Sequence, residues 1–155
     1  GPAVVLGEAA FDVALMPSHV AQFLVEDADW PATLRSLHRA LVPGGRLAFD
    51  TRDPEAQAWR QWNRRRRVPL DDGSGVEVWA TTTAVSGEVV TGTEYYTFDD
   101  GEELTSSASL RFRPEESVRE ALHQAGLRVS AIYGGWNGEP VGRGDGELIV
   151  LADRP

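Results

Sequence analysis

The stretch from Leu41 to Asp50, LVPGGRLAFD, constrains the fold more than any other part of this chain. Upstream of it, Trp30, Leu34, Leu37 and Leu41 recur at helical spacing, behind an Asp29 that suits an N-cap and a proline near the first helical position. Pro43 cannot continue a helix, and Gly44 accepts the left-handed conformation that ends one. The short apolar run RLAFD follows at once and reads as a strand. A helix that stops and returns directly as a strand is the joint of an α/β protein, whose connecting helices cover a largely parallel sheet.

Other segments extend this reading. VVL at 4 to 6 and FDVALM at 11 to 16 are β-branched and apolar, and both are expected to be buried strands. Residues 54 to 68, PEAQAWRQWNRRRRV, are expected to be helical, with Trp59 and Trp62 on one side. The arginine run 64 to 67 sits before Asp71 and Asp72 and reads as a solvated, salt-bridged face. Beyond DDGSG the pattern changes to three threonine-, valine- and aromatic-rich stretches separated by Ser86-Gly87 and Asp99-Asp100-Gly101, which predicts an antiparallel meander over 76–113. A helix then starts at Pro114, carries Val118, Ala121, Leu122 and Ala125 on one stripe, and is capped by Gly126. Two strands, LRVSAIYG and ELIVLADR, close the chain around a glycine-rich loop. The organisation is one domain over 1–155, with the meander inserted in it.

Composition narrows the chemistry. With 155 residues, 41% of them hydrophobic and 25% charged, the chain suits one globular domain with a real core. It has no cysteine, and all 15 basic residues are arginine, so thiolate ligands, cysteine nucleophiles, Schiff-base lysines and a phosphate-loop lysine are absent. A net charge of -9 opposes a phosphate backbone, so a small-molecule partner rather than nucleic acid is expected. No apolar run approaches the roughly 20 residues of a membrane span, and the first residues show no secretory pattern. Cytoplasmic location is the default expectation. The three histidines have no carboxylate cluster beside them in sequence, so no metal site is expected.

Taken in order, FDVALM, the helix, LVPGGRLAFD, the β unit, EALHQAGLRVSAIYGGWNGEP and ELIVLADRP resemble the C-terminal part of a class I S-adenosylmethionine-dependent methyltransferase of the small-molecule type. The resemblance covers nearly all of the chain. It implies a Rossmann-like, mostly parallel sheet built from the family's later strands, with S-adenosyl-L-methionine across the carboxyl ends of the strands. It also implies methyl transfer to a small-molecule acceptor. The family's glycine-rich cofactor loop and the acidic residue ending its second strand have no counterpart in this sequence. A truncated form and a half-domain completed by another chain are both open. Either would leave one side of the FDVALM strand unpaired, a hazard that predicts a homodimer through the sheet edge. The alternative to an enzyme is a non-catalytic methyltransferase-like module acting through dimerisation or partner binding.

By the same resemblance, the loop after FDVALM borders cofactor and acceptor. Met16, Pro17 and Ser18 are candidate cofactor neighbours, and His19 is a candidate general base, since imidazole titrates near neutral pH. Glu8, with Ala9 and Ala10, is a candidate for the adenine side. Asp50, Arg52, Tyr95 and Trp136 are candidates for the acceptor side, with Asp50 and Arg52 equally readable as a surface ion pair.

Overall fold

The computed structural model describes residues 7–155, so the strand expected at 4 to 6 lies outside the described residues. The chain divides into two compact units, one made of 1–56 and 111–155 and the other of 57–110.

The first unit is a four-stranded sheet with two helices. Its strands are β1 (Phe11–Met16), β2 (Leu41–Arg52), β7 (Arg128–Tyr133) and β8 (Glu147–Asp153), in the order β1-β2-β8-β7. β1 and β2 pair in parallel, whereas β8 is antiparallel to both β2 and β7. Three strands therefore run one way, but only one adjacent pair is parallel among the described residues. The sheet is mixed rather than mostly parallel because β8 enters between β2 and β7 from the hairpin-like return after β7.

Helices α1 (Asp29–Ala40) and α2 (Glu115–Gln124) lie on one face of this sheet. Trp30, Leu34 and Leu37 of α1, with Val118 and Leu122 of α2, pack on Met16, Leu47, Phe49, Leu148, Val150 and Ala152. Trp30 meets Phe49 edge-on, with ring centroids 5.5 Å apart. Burial of each such aliphatic side chain stabilises the unit by about 1.5–3 kcal/mol before entropy is counted. Asp29 is the first helical residue rather than the cap, which falls on Ala28 without a side-chain hydrogen bond. Pro114 caps α2, and Gly126 adopts φ +84° just beyond its end.

The Pro-Gly-Gly joint takes a different form from the expected turn. β2 begins at Leu41, immediately after α1, and the triplet lies inside its span as a bulge. Phe11 faces Leu41, yet Val13 already faces Arg46. Gly44 has φ +82°, and its N–H donates to Arg154 O at 2.8 Å. Gly45 packs so closely that a Cβ would stand 2.8 Å from Val42 O.

β1 is also not buried as expected. It lies at the edge of the sheet among the described residues, and Phe11, Val13 and Leu15 are 46%, 55% and 66% exposed. Its apolar run reads as two-sided burial, but among the described residues only the side facing α1 and α2 is covered.

The second unit is an antiparallel sheet in the order β3-β4-β5-β6, with β3 (Arg66–Pro69), β4 (Gly75–Ser86), β5 (Val89–Phe98) and β6 (Glu103–Arg111). Strand β3 replaces the C-terminal end of the expected helix at 54 to 68. The rest of that segment forms two short 3-10 turns, Pro54–Ala56 and Ala58–Gln61, interrupted by Gln57 at φ 46°. Helical spacing of the two tryptophans was outweighed by pairing of the arginine strand with β4. Arg65 bonds Glu77 and lies 4.0 Å over the Trp79 ring, and Arg67 bonds Asp99, so the basic run is a salt-bridged face. Among the described residues, no helix is long and apolar enough to cross a membrane.

Candidate functional site

The loop after β1 is held in an uncommon backbone conformation. Ser18 and His19 both have φ 59°, in the left-handed region that non-glycine residues enter at a cost. This double reversal turns His19 back over the carboxyl ends of β1 and β2. The His19 N–H donates to Asp50 Oδ2 at 3.0 Å. On the same residue, Nε2 lies 2.8 Å from Glu147 Oε2 and 3.2 Å from Asp50 Oδ2.

The two carboxylates come from neighbouring strands. Asp50 faces Ile149 and Arg52 faces Glu147 across the β2–β8 ladder, which puts Asp50 and Glu147 on the same sheet face. Asp50 is 2% exposed, and its Oδ1 has no hydrogen-bond partner among the described residues. The 3-10 turn Val20–Phe23 that follows His19 is clamped from below. Arg113 donates to Ala21 O at 3.2 Å and to Leu24 O, with its guanidinium 4.9 Å from the Trp30 ring centre. Arg52 donates to the buried Gln22 Oε1 at 3.4 Å.

An apolar groove of about 270 Å³ runs along the sheet face away from the helices and reaches Asp50. Leu15, Pro17, Ile149, Leu151 and Trp136 line it. An apolar trough with a few convergent polar groups at one end is the usual form of a small-molecule site. Its Pro17 and Asp50 end lies toward the carboxyl ends of β1 and β2, the side on which open α/β sheets place ligands.

The sequence candidates separate accordingly. Pro17, Ser18, His19, Asp50 and Trp136 gather at this end of the sheet, while the Met16 side chain points into the core. Glu8, Ala9 and Ala10 lie before β1, where the N–H groups of Ala9 and Ala10 donate to Arg39 O and Ala40 O. They are separated from His19 by the six residues of β1, about 20 Å at ~3.3 Å per residue. Arg52 holds Gln22 rather than forming an ion pair with Asp50. Tyr95 belongs to the second unit, where it stacks on Trp79 at 5.2 Å.

Glu147 is the functional candidate that sequence reasoning missed. It is 128 residues from His19, and nothing local distinguishes it from other surface carboxylates. The expectation of no metal site rested on the lack of carboxylates beside the histidines in sequence, whereas Asp50 and Glu147 converge on His19 through strand pairing.

No protein-family model and no curated protein matches this sequence. Solved structures do match. An S-adenosylmethionine-dependent methyltransferase from Clostridium acetobutylicum superposes with TM-score 0.74 at 14% identity, over 93% of this chain and 58% of that one. The CcbJ methyltransferase from Streptomyces caelestis gives 0.75 at 15% identity, over 97% and 59%. CalS10 from Micromonospora echinaspora, an amino pentose methyltransferase with S-adenosylmethionine bound, gives 0.69 at 21% identity, over 95% and 59%. The chain thus spans a little under three fifths of the length of these proteins. By these superpositions the fold of the chain is similar to that of S-adenosylmethionine-dependent methyltransferases.

Proposed function

We propose that this chain takes part in methyl transfer from S-adenosylmethionine to a small-molecule acceptor. The observation that carries the reading is the position of the His19, Asp50 and Glu147 trio. It stands at the carboxyl ends of β1 and β2, beside an apolar groove, on a methyltransferase fold.

The groove lining fits a ligand with an apolar body and a polar end, and Pro17, Ser18 and Trp136 are the residues that would border it. When bound, S-adenosylmethionine supplies a methyl group on a sulfonium, open to in-line attack. The chain's task is then chiefly to hold an acceptor at close range, which alone can contribute several kcal/mol. The strained Ser18-His19 backbone and the Arg113 clamp fix the loop, so the imidazole does not need to be ordered on binding. In the tautomer that donates Nε2–H to Glu147, Nδ1 is the ring atom left to accept the acceptor's proton. Asp50 and Glu147 stabilise the imidazolium that results.

Calorimetric titration with S-adenosylhomocysteine tests the reading, on this chain and on the full-length protein wherever its reading frame extends further. Saturable heat is expected from at least the full-length protein. Absence of heat from both ends the enzyme reading.

A further inference from the structure

We propose that His19, Asp50 and Glu147 bind a divalent first-row transition-metal ion. The site goes beyond methyl transfer and stands or falls without it. One ligand atom from each residue lies within 4.8 Å of the other two. The imidazole Nε2 is 2.8 Å from Glu147 Oε2 and 3.2 Å from Asp50 Oδ2. Bonds of ~2.1 Å place neighbouring octahedral ligand atoms about 3.0 Å apart and tetrahedral ones about 3.4 Å apart. The two histidine–carboxylate spacings lie close to those of such a shell and the two carboxylate oxygens stand within 4.8 Å of each other, so an ion draws the three together with modest rearrangement.

A single Nε2–H cannot serve two carboxylate oxygens well, whereas a cation between the three atoms satisfies all of them. Asp50 supplies a second and independent observation. Its buried Oδ1 has no hydrogen-bond partner among the described residues, and a carboxylate binding an ion through both oxygens removes that deficit. Among the described residues, the ion pairs of Asp50 and Glu147 are with His19 alone.

The frame is rigid in the way a metal site needs. Two ligands are fixed by the β2–β8 register and the third by a strained loop bonded to Asp50. One imidazole and two carboxylates favour Mn²⁺, Fe²⁺, Co²⁺ or Zn²⁺ over Mg²⁺, which dehydrates reluctantly and prefers oxygen alone. Three protein ligands leave positions open, the mark of a site that takes an exchangeable ligand. In this state His19 carries its ring proton on Nδ1, the opposite of its arrangement as a base.

The test is a Mn²⁺ titration of chelator-treated protein, read by loss of the free-ion electron paramagnetic resonance signal, with Zn²⁺ competition. One saturable site per chain is expected. Asp50→Asn and Glu147→Gln should each weaken it by about 10- to 100-fold or more. The exposed double variant Asp71→Asn/Asp72→Asn should bind as the parent does, and circular dichroism should show every variant folded. Binding of neither ion by folded protein overturns the proposal. So does binding that the Asp50 and Glu147 variants leave unchanged, which would mark diffuse attraction to an acidic surface. S-adenosylhomocysteine heat is measured separately, so loss of one reading leaves the other intact.

Discussion

At the scale of single residues, the site depends on side chains that packing has placed out of their ordinary surroundings. Asp50 is buried while its neighbour in the trio, Glu147, stays partly exposed, so the two should respond differently to neutralisation. Glu147→Gln keeps an oxygen that accepts from His19 and is expected to change unfolding free energy by about 1 kcal/mol. On the proposed function it should nevertheless lower methyl transfer by the full-length protein by roughly 10-fold or more, through the unsupported imidazole. Denaturant unfolding and initial rates on the same variant separate these effects. His38 gives a pH signature away from the site. Burial first, then Arg154 and Arg39, hold its proton affinity below that of a free imidazole. The unfolded chain takes up a proton near pH ~6.5 whereas the folded one resists until lower pH, so stability falls as pH drops through that window. His38→Gln should flatten the fall in melting temperature between about pH 7.5 and 5.5. An unchanged slope would mean other groups dominate.

At the scale of elements, three glycines test different parts of the local argument. Gly126 and Gly101 have φ +84° and +91°, but a Cβ on Gly126 would lie 3.1 Å from His38 Nε2, whereas one on Gly101 meets open space. Gly101→Ala should cost about 1 kcal/mol from backbone strain alone, and Gly126→Ala up to about 2. Gly45→Ala meets the Val42 carbonyl at 2.8 Å, where only backbone movement relieves the clash, and should cost about as much without any positive φ. Chemical denaturation of the three variants ranks these costs. The helices and most strands were legible because their signals are local: Leu34 and Leu37 at helical spacing, Pro114 and Gly126 at the ends of α2, Asp100-Gly101 between strands. The segment from 54 to 68 misled because Trp59 and Trp62 mimic a helical stripe. Its fate rested on β3 finding β4, a pairing with no local mark.

At the scale of the whole chain, the edge and outer face of β1 are the main exposed apolar feature of the first unit among the described residues. An edge strand of this kind, free on one side among the described residues, can template another, so sedimentation should show association that grows with concentration, and Val13→Lys should reduce it. A monomer at all concentrations would remove the expected homodimer. What the sequence determined by itself was most of the elements and their order, the segment from 54 to 69 excepted, together with the class of fold they resemble. Helical stripes, turn glycines and apolar runs act over a few residues, and each is written locally. Only the tertiary structure decided that β8 enters the sheet beside β2 and that β1 keeps an open face. It alone brought His19 to Asp50 and Glu147, which lie 31 and 128 residues away along the chain. The physical reason is that such convergence is set by strand register and loop closure, and neither leaves a periodic trace in the residues it joins.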